Sequence, residues 1–156
     1  PQNMSPLRDT LIFGYGIHNL GTILLERQRY EEVQPLFAEA EALMARYQGP
    51  ASAFPIMALA YNGQASLALG KPAEASGLLE EGRTRLGEDS SDVEALGRVI
   101  PDLVRARMLT GDRDAALAAA RRRPLQQVRL GAGDHGVLCR ALEGAAQAEE
   151  RRPELL

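Results

Sequence analysis

The fold is decided by residues 20–40, which read LGTILLERQRYEEVQPLFAEA. A polar turn around residues 27–32 separates two segments that favour helix. In the second segment Val33, Phe37 and Ala40 recur at intervals of four and three residues, which places them on one face of a helix. This stretch therefore predicts two helices joined by a tight turn.

The composition of the whole chain agrees with a helical fold. Its 156 residues include 24 Ala and 23 Leu, against 11 Val and Ile together. Ala and Leu cost the least free energy in a helix, whereas a β-rich core would need more β-branched residues. We predict an all-α protein, and the length fits one domain that spans residues 1–156.

Capping and helix-breaking residues divide the chain into about seven helices. Short loops between them predict that consecutive helices are antiparallel neighbours. Pro101 falls inside the fifth helix, where we expect it to kink or break the helix at a cost of about 3 kcal/mol. The predicted helices cover residues 6–27, 30–47, 54–69, 72–86, 91–110, 113–123 and about 134–149.

The turn between helices recurs three times along the chain. It falls first at Gln28, then at Gly70 and then at Gly111, so the spacing is nearly constant. Helix pairs that recur with a period of about 20 to 50 residues are the signature of an α-solenoid. The spacing therefore predicts an α-solenoid of antiparallel helix pairs.

The recurring residues resemble the tetratricopeptide repeat (TPR). The period of about 42 residues, longer than the usual 34, is similar to the kinesin-light-chain subtype, which also occurs in bacterial Ser/Thr kinases and regulators. The resemblance implies repeats at about 6–48 and 54–87, a degenerate third repeat at about 91–123, and a C-terminal capping helix at about 134–149. The pattern is carried by Leu20, Gly21, Leu24, Tyr30, Val33, Phe37 and Ala40, by Leu59, Gly63, Gly70, Ala75 and Leu79, and more faintly by Leu103, Gly111, Ala116 and Ala120.

In this family the first helix of each pair lines a concave groove, so the resemblance implies a set of groove residues. An Asn at the position of Asn19 holds a peptide backbone in light-chain-type repeats, since an amide can both donate and accept hydrogen bonds. Arg98 and Arg105 can hold a carboxylate with two hydrogen bonds. The implied groove residues are Tyr15, His18, Asn19, Thr22 and Glu26, then Met57, Tyr61, Gln64 and Ala68, then Arg98, Asp102 and Arg105.

Several of these residues have a purely structural alternative. Asn19 can instead form a hydrogen bond with a neighbouring helix, and Tyr15 and Tyr61 can pack at helix junctions. We expect His18 on the surface or the groove wall, because no Ser, Cys or carboxylate partner is visible that would make it a catalyst.

The sequence gives little support for a metal or cofactor site, for nucleic-acid binding or for insertion into a membrane. The net charge is −3, and the chain has one cysteine, Cys139, and two histidines, so we predict no disulfide, metal site or cofactor. Arg121, Arg122 and Arg123 fit the last turn of a helix better than a nucleic-acid site. No apolar run approaches the roughly 20 residues of a membrane helix, and no signal-peptide pattern is present, so we predict a cytoplasmic protein.

The sequence favours a scaffold over an enzyme, because no pattern of catalytic residues stands out. The preferred hypothesis is the capture of a peptide or protein segment in a TPR groove, as part of a larger bacterial signalling or regulatory protein. Two alternatives stay open: a self-association module, which would give a homodimer, and a ligand- or peptide-sensing domain of a transcriptional regulator.

Overall fold

The computed structural model describes residues 10–87 and 92–121, and these residues form six α-helices without a strand. The predicted all-α class is confirmed. The seventh predicted helix, at about 134–149, lies outside the described residues. The helices are α1 (Leu11–Glu26), α2 (Tyr30–Gln48), α3 (Ala53–Ala68), α4 (Pro72–Leu86), α5 (Val93–Leu109) and α6 (Arg113–Arg121).

The N-terminal boundary of α1 differs from its prediction. The expected beginning at residue 6 is wrong, because Thr10 is extended and its side chain accepts a hydrogen bond from the Phe13 N–H at 3.2 Å. This is a normal N-cap, which supplies a partner for an otherwise unpaired amide of the first turn. Asp92 caps α5 in the same way, since its carboxylate accepts from the Ala95 N–H at 3.0 Å.

The sequence predicts a kink or a break at Pro101. The break is not found, since α5 continues through this residue to Leu109. The residues on both sides of the proline are fully buried: Val99 and Leu103 are 0% exposed and Val104 is 1% exposed. Burying one such side chain stabilises by about 1.5–3 kcal/mol. Three of them together offset the roughly 3 kcal/mol that a proline costs inside a helix.

Helices that follow each other in the chain pack against each other throughout the described residues. In addition, α1 packs on α3, and α3 packs on α5. Within residues 10–87 and 92–121, the backbone of α1 does not approach that of α5 or α6. The first helices of the three hairpins therefore lie side by side, with α3 in the middle.

Two apolar clusters form the core, and α3 contributes to both. The first cluster joins α1 and α2 to one side of α3, and the second joins the other side of α3 to α4, α5 and α6. The first contains Leu24, Leu25, Val33, Phe37, Ala58, Tyr61 and Ala65. The second contains Ile56, Ala60, Leu67, Ala75, Leu79, Ala95, Val99, Ile100, Leu103, Val104, Ala106, Ala116, Ala119 and Ala120.

Two glycines allow the helices of a hairpin to approach closely. A Cβ atom on Gly21 would lie 3.0 Å from the ring of Phe37, and one on Gly63 would lie 2.7 Å from Cγ of Leu79. Both distances are shorter than the roughly 3.5–4.0 Å at which two carbon atoms normally make contact. The same close approach therefore recurs in the first and second hairpins.

The three matched turns share one backbone geometry. Gln28, Gly70 and Gly111 have positive φ angles of 60°, 72° and 82°. At each turn the residue donates its N–H to the carbonyl three residues earlier, as Gln28 does to Leu25 at 2.9 Å. The next residue donates to the carbonyl five residues earlier, as Arg29 does to Leu24 at 3.0 Å. This is a Schellman motif, and it ends α1, α3 and α5 alike.

Candidate binding surface

The predicted groove residues come from three helices that are neighbours in space. Because α3 packs on both α1 and α5, side chains on their outer faces can form one continuous surface. Thr22, Gln64 and Arg105 occupy matched positions on the three helices. Thr22 is half-buried and donates its hydroxyl to the His18 carbonyl at 3.1 Å. Gln64 and Arg105 are exposed.

Tyr61 lies beneath this surface, where it is 9% exposed and belongs to the first apolar cluster. Its ring stacks on Phe37 with 5.3 Å between the ring centroids and 25° between the planes. The guanidinium carbon of Arg98 lies over the same ring, 5.1 Å from the centroid. This is a cation–π contact, and it joins α3 to α5. Arg98 also lies 3.8 Å from Glu94, one turn earlier in α5.

Charged groups from two other helices act on Tyr61. Burial is the largest influence and raises the pKa of its hydroxyl above the usual value. The positive charge of Arg98 lowers this pKa, while the carboxylates of Glu94 and Glu26 raise it. Glu26 belongs to α1 and Glu94 to α5, so the electrostatic surroundings of Tyr61 extend across all three first helices.

His18 is buried, and its predicted place on the surface or the groove wall is wrong. The side chain is 4% exposed, and its ring centroid lies 5.5 Å from that of Phe37, 5.6 Å from that of Tyr61 and 6.0 Å from that of Phe54. Its Nδ1 atom has no hydrogen-bond partner among the described residues. One residue along a helix rotates the side chain by about 100°, which turns His18 inward while Asn19 stays exposed.

Tyr15 has the packing role that the sequence left as an alternative. The rings of Tyr15 and Phe54 pack in a T-shaped arrangement, with 4.8 Å between their centroids. Its hydroxyl accepts a hydrogen bond from Nε2 of Gln48 at 2.5 Å. Both partners belong to other helices, so Tyr15 holds the ends of α2 and α3 against α1.

The remaining predicted residues differ in their exposure. Asn19, Gln64 and Arg105 are exposed, as are Glu26 and Ala68. Met57 is half-buried and packs against the first apolar cluster. Asp102 is half-buried.

Sequence reasoning missed two residues of this surface, Phe54 and Glu94. Glu94 could have been found from its spacing, because a carboxylate four residues before Arg98 on a helix favours an ion pair. Phe54 offered no such signal, since its contacts with Tyr15 and His18 arise from the packing of α1 on α3.

No protein-family model matches this chain, and the search of curated proteins finds no significant match. Within the part of the chain that the structure describes, no group of three or more His, Cys, Asp or Glu side chains could hold a metal ion. In the same part, each helix is too short or too polar to cross a bilayer.

Burial of His18 gives the first testable prediction, a loss of stability in mild acid. Burial lowers the pKa of this imidazole below the usual 6.5, so the unfolded chain binds a proton that the folded chain does not. The free energy of unfolding should therefore be highest above pH 6.5 and fall as the pH drops below that value. Urea denaturation at about pH 7.5 and 5.5 measures this difference.

The matched variant is His18→Leu, which removes the titrating group and keeps His135. We expect wild type to lose more stability between the two pH values than this variant. Equal losses in both proteins would assign the acid sensitivity to other groups.

Proposed function

We propose that the exposed face of α1, α3 and α5 binds a segment of another polypeptide, in a short α-solenoid of the TPR type. The packing of α3 on both α1 and α5 supports this arrangement, as do the three matched turns at Gln28, Gly70 and Gly111. The resemblance to light-chain-type repeats supports a role as the interaction part of a larger bacterial signalling or regulatory protein.

The main observation in support of this proposal is the cation–π contact between Tyr61 and Arg98. The ring of Tyr61 is held by Phe37 on one helix and lies under an arginine from another. Groups that are fixed before binding lose little conformational entropy when a ligand arrives. Aromatic and arginine side chains also dominate the binding energy of protein interfaces.

Exposed amides flank this contact and suit a peptide backbone. Asn19 on α1 and Gln64 on α3 are both exposed. Each amide group can donate one hydrogen bond to a peptide carbonyl and accept another from a peptide N–H. An extended segment has such groups available along its whole length, whereas a helix uses them internally. The amides therefore favour an extended ligand.

The charges across the face define an expected direction of the ligand. Glu26 is exposed on α1, and Arg105 is exposed on α5 at the other side. Arg105 forms no hydrogen bond or ion pair with the described residues. A segment with a basic residue near α1 and an acidic residue near α5 would complement both, and an arginine can bind a carboxylate with two parallel hydrogen bonds.

A displayed library of random peptides tests the proposal directly. Peptides are selected on the full chain and then measured against the triple variant Asn19→Ala, Gln64→Ala, Arg105→Ala. All three residues are exposed, so the variant should fold normally. We expect it to bind the selected peptides at least about tenfold more weakly. Tyr61 is left unchanged, because its replacement would damage the core.

The matched control is the double variant Glu31→Ala, Glu39→Ala on the exposed face of α2. It should bind the peptides as the wild type does. Undiminished binding to the triple variant, or equal weakening in both variants, would show that the ligand does not lie on the face of α1, α3 and α5.

A further inference from the structure

His18 is a buried titratable residue at the contact between α1 and α3. Its ring packs on Phe37 of α2 and on Phe54 and Tyr61 of α3, with 5.5, 6.0 and 5.6 Å between the ring centroids. Its Nδ1 atom is buried and has no hydrogen-bond partner among the described residues. The imidazole is therefore enclosed by aromatic rings and not by polar groups.

Among the described residues, the helices packed around His18 supply no carboxylate that pairs with it. Residues 11–25 and the whole of α3 contain no Asp, Glu, Lys or Arg. In α2, Glu41 lies one turn after Phe37 and forms an ion pair with Arg85 of α4. An imidazolium inside the cluster would thus be a buried charge without a counter-charge, which is unfavourable. The other acidic residues of α2 are exposed, and they are Glu31, Glu32 and Glu39.

The remaining charged groups near the cluster surround Tyr61. Arg98 lies over its ring, and Glu94 pairs with that arginine. Glu26 lies two turns after His18 in α1 and is exposed. Tyr61 is itself neutral near pH 7, because burial raises the pKa of its hydroxyl above the usual 10.0. The ring of Tyr61 is therefore the link between His18 and the charged groups of the face.

We propose that protonation of His18 in mild acid loosens the packing of α1 on α3 and so weakens peptide binding at the face of α1, α3 and α5. An imidazolium regains its hydration only by leaving the aromatic cluster. Its departure removes a neighbour of Tyr61, over whose ring Arg98 lies, and it displaces Asn19, the next residue of α1. The inference rests on the proposed peptide binding and adds a regulation of that site by pH.

The direction of the effect follows from the burial of His18. Burial lowers the pKa of the imidazole below its usual 6.5, so the folded chain takes up the proton only below pH 6.5. The face is therefore complete at neutral pH and changes as the pH falls through the lowered pKa. A peptide that binds only the neutral form loses about tenfold in affinity for each pH unit below that pKa, because one proton is involved.

Nuclear magnetic resonance of the free chain tests the switch without a ligand. The ring current of Tyr61 shifts the Nε–Hε signal of Arg98, whose guanidinium carbon lies 5.1 Å from the ring centroid. As the pH falls from about 7.5 to about 4.5, this signal should move towards that of an exposed arginine, with the same midpoint as the ring protons of His18. In His18→Leu it should show only the change that titration of Glu94 produces.

The affinity of the peptides selected on the full chain tests the effect on binding. Fluorescence anisotropy of a labelled peptide gives the dissociation constant at each pH for wild type and for His18→Leu. Acidic groups of the peptide and of the face titrate in both experiments, so their effect cancels in the ratio of the two constants. One pH unit below the His18 midpoint, this ratio should be about tenfold higher than at neutral pH.

Two further variants assign the effect to His18. His18→Gln keeps a polar side chain but takes up no proton, so it should behave as His18→Leu does. His135→Gln removes the other histidine of the chain and should retain the full pH dependence of the wild type. Circular dichroism over the same pH range should show unchanged helix content, because the proposed change is local to the contact of α1 with α3.

Three results would overturn the proposal. The first is an Arg98 signal that titrates alike in wild type and His18→Leu, which would mean that the rings hold the imidazolium in place by cation–π contacts. The second is a loss of helix content at the His18 midpoint, which would mean that acid unfolds the chain as a whole. The third is a ratio of dissociation constants that stays constant while the Arg98 signal moves.

The two experiments separate this inference from the proposed function. A selection that yields no binding peptide at neutral pH would refute the peptide binding and, with it, the regulation of that binding. The signals of the free chain would still show whether protonation of His18 alters the face. Peptides that bind wild type and His18→Leu with the same pH dependence would refute the regulation alone.

Discussion

Replacing Phe37 by alanine is expected to lower the free energy of unfolding by about 3–5 kcal/mol, the usual range for a buried phenylalanine. Phe37 is 0% exposed. Its ring lies against Gly21 and stacks on Tyr61, and it also meets the edge of His18. The alanine would leave a cavity between α1, α2 and α3 that these neighbours cannot fill.

Urea denaturation of wild type and variant measures this loss. Phe54→Ala is the matched control, because it removes the same atoms from a site that is 38% exposed. We expect it to cost about 1–2 kcal/mol, in proportion to the smaller apolar area that it returns to water. Equal losses at the two positions would contradict the burial of Phe37 in a joint core.

Replacing Gly63 by alanine is expected to destabilise the fold by about 1–3 kcal/mol, as overpacking of a core does. The new methyl group would lie 2.7 Å from Cγ of Leu79, and Leu79 is itself 0% exposed. A branched carbon in a filled core cannot move aside as the end of a long side chain can. The clash should exceed the gain of about 1 kcal/mol that alanine normally brings to a helix.

Gly77→Ala provides the opposite expectation in the neighbouring helix. A Cβ atom on Gly77 would meet nothing within 4 Å, so this substitution should stabilise by about 0.4–1 kcal/mol. Combining Gly63→Ala with Leu79→Ala should cost less than the sum of the two single losses, because the smaller side chain removes the clash. Urea denaturation of the wild type and the four variants measures these differences. Stabilisation by Gly63→Ala alone would refute the close approach of α3 and α4.

The helices could be predicted well wherever local residues define their ends. α2 begins at Tyr30 and α4 at Pro72, as the turn residues before them indicate. The errors arose where two local patterns compete or where distant contacts decide. Thr10 and Ser5 are both acceptable caps for α1, and only the structure distinguishes them. At Pro101 the local rule predicts a kink or a break, but the helix stays continuous, with Val99 and Leu103 buried on either side of the proline.

The candidate surface was predicted less completely than the fold. The resemblance to the tetratricopeptide repeat implies that Asn19, Gln64 and Arg105 face outward, and all three are exposed. It failed at His18, because glycines on both sides of it obscure which face of α1 is apolar. The contact between Tyr61 and Arg98 joins two different hairpins, so no local pattern could reveal it.

The position of α3 in both apolar clusters has a consequence for how the protein opens. Separation of α1 and α2 from the rest would leave the second cluster intact, and separation of α5 and α6 would leave the first. Exposure of the α3 backbone requires both clusters to come apart. The amide hydrogens of α3 should therefore exchange with solvent only through complete unfolding, while those of the outer helices exchange through partial openings of lower free energy.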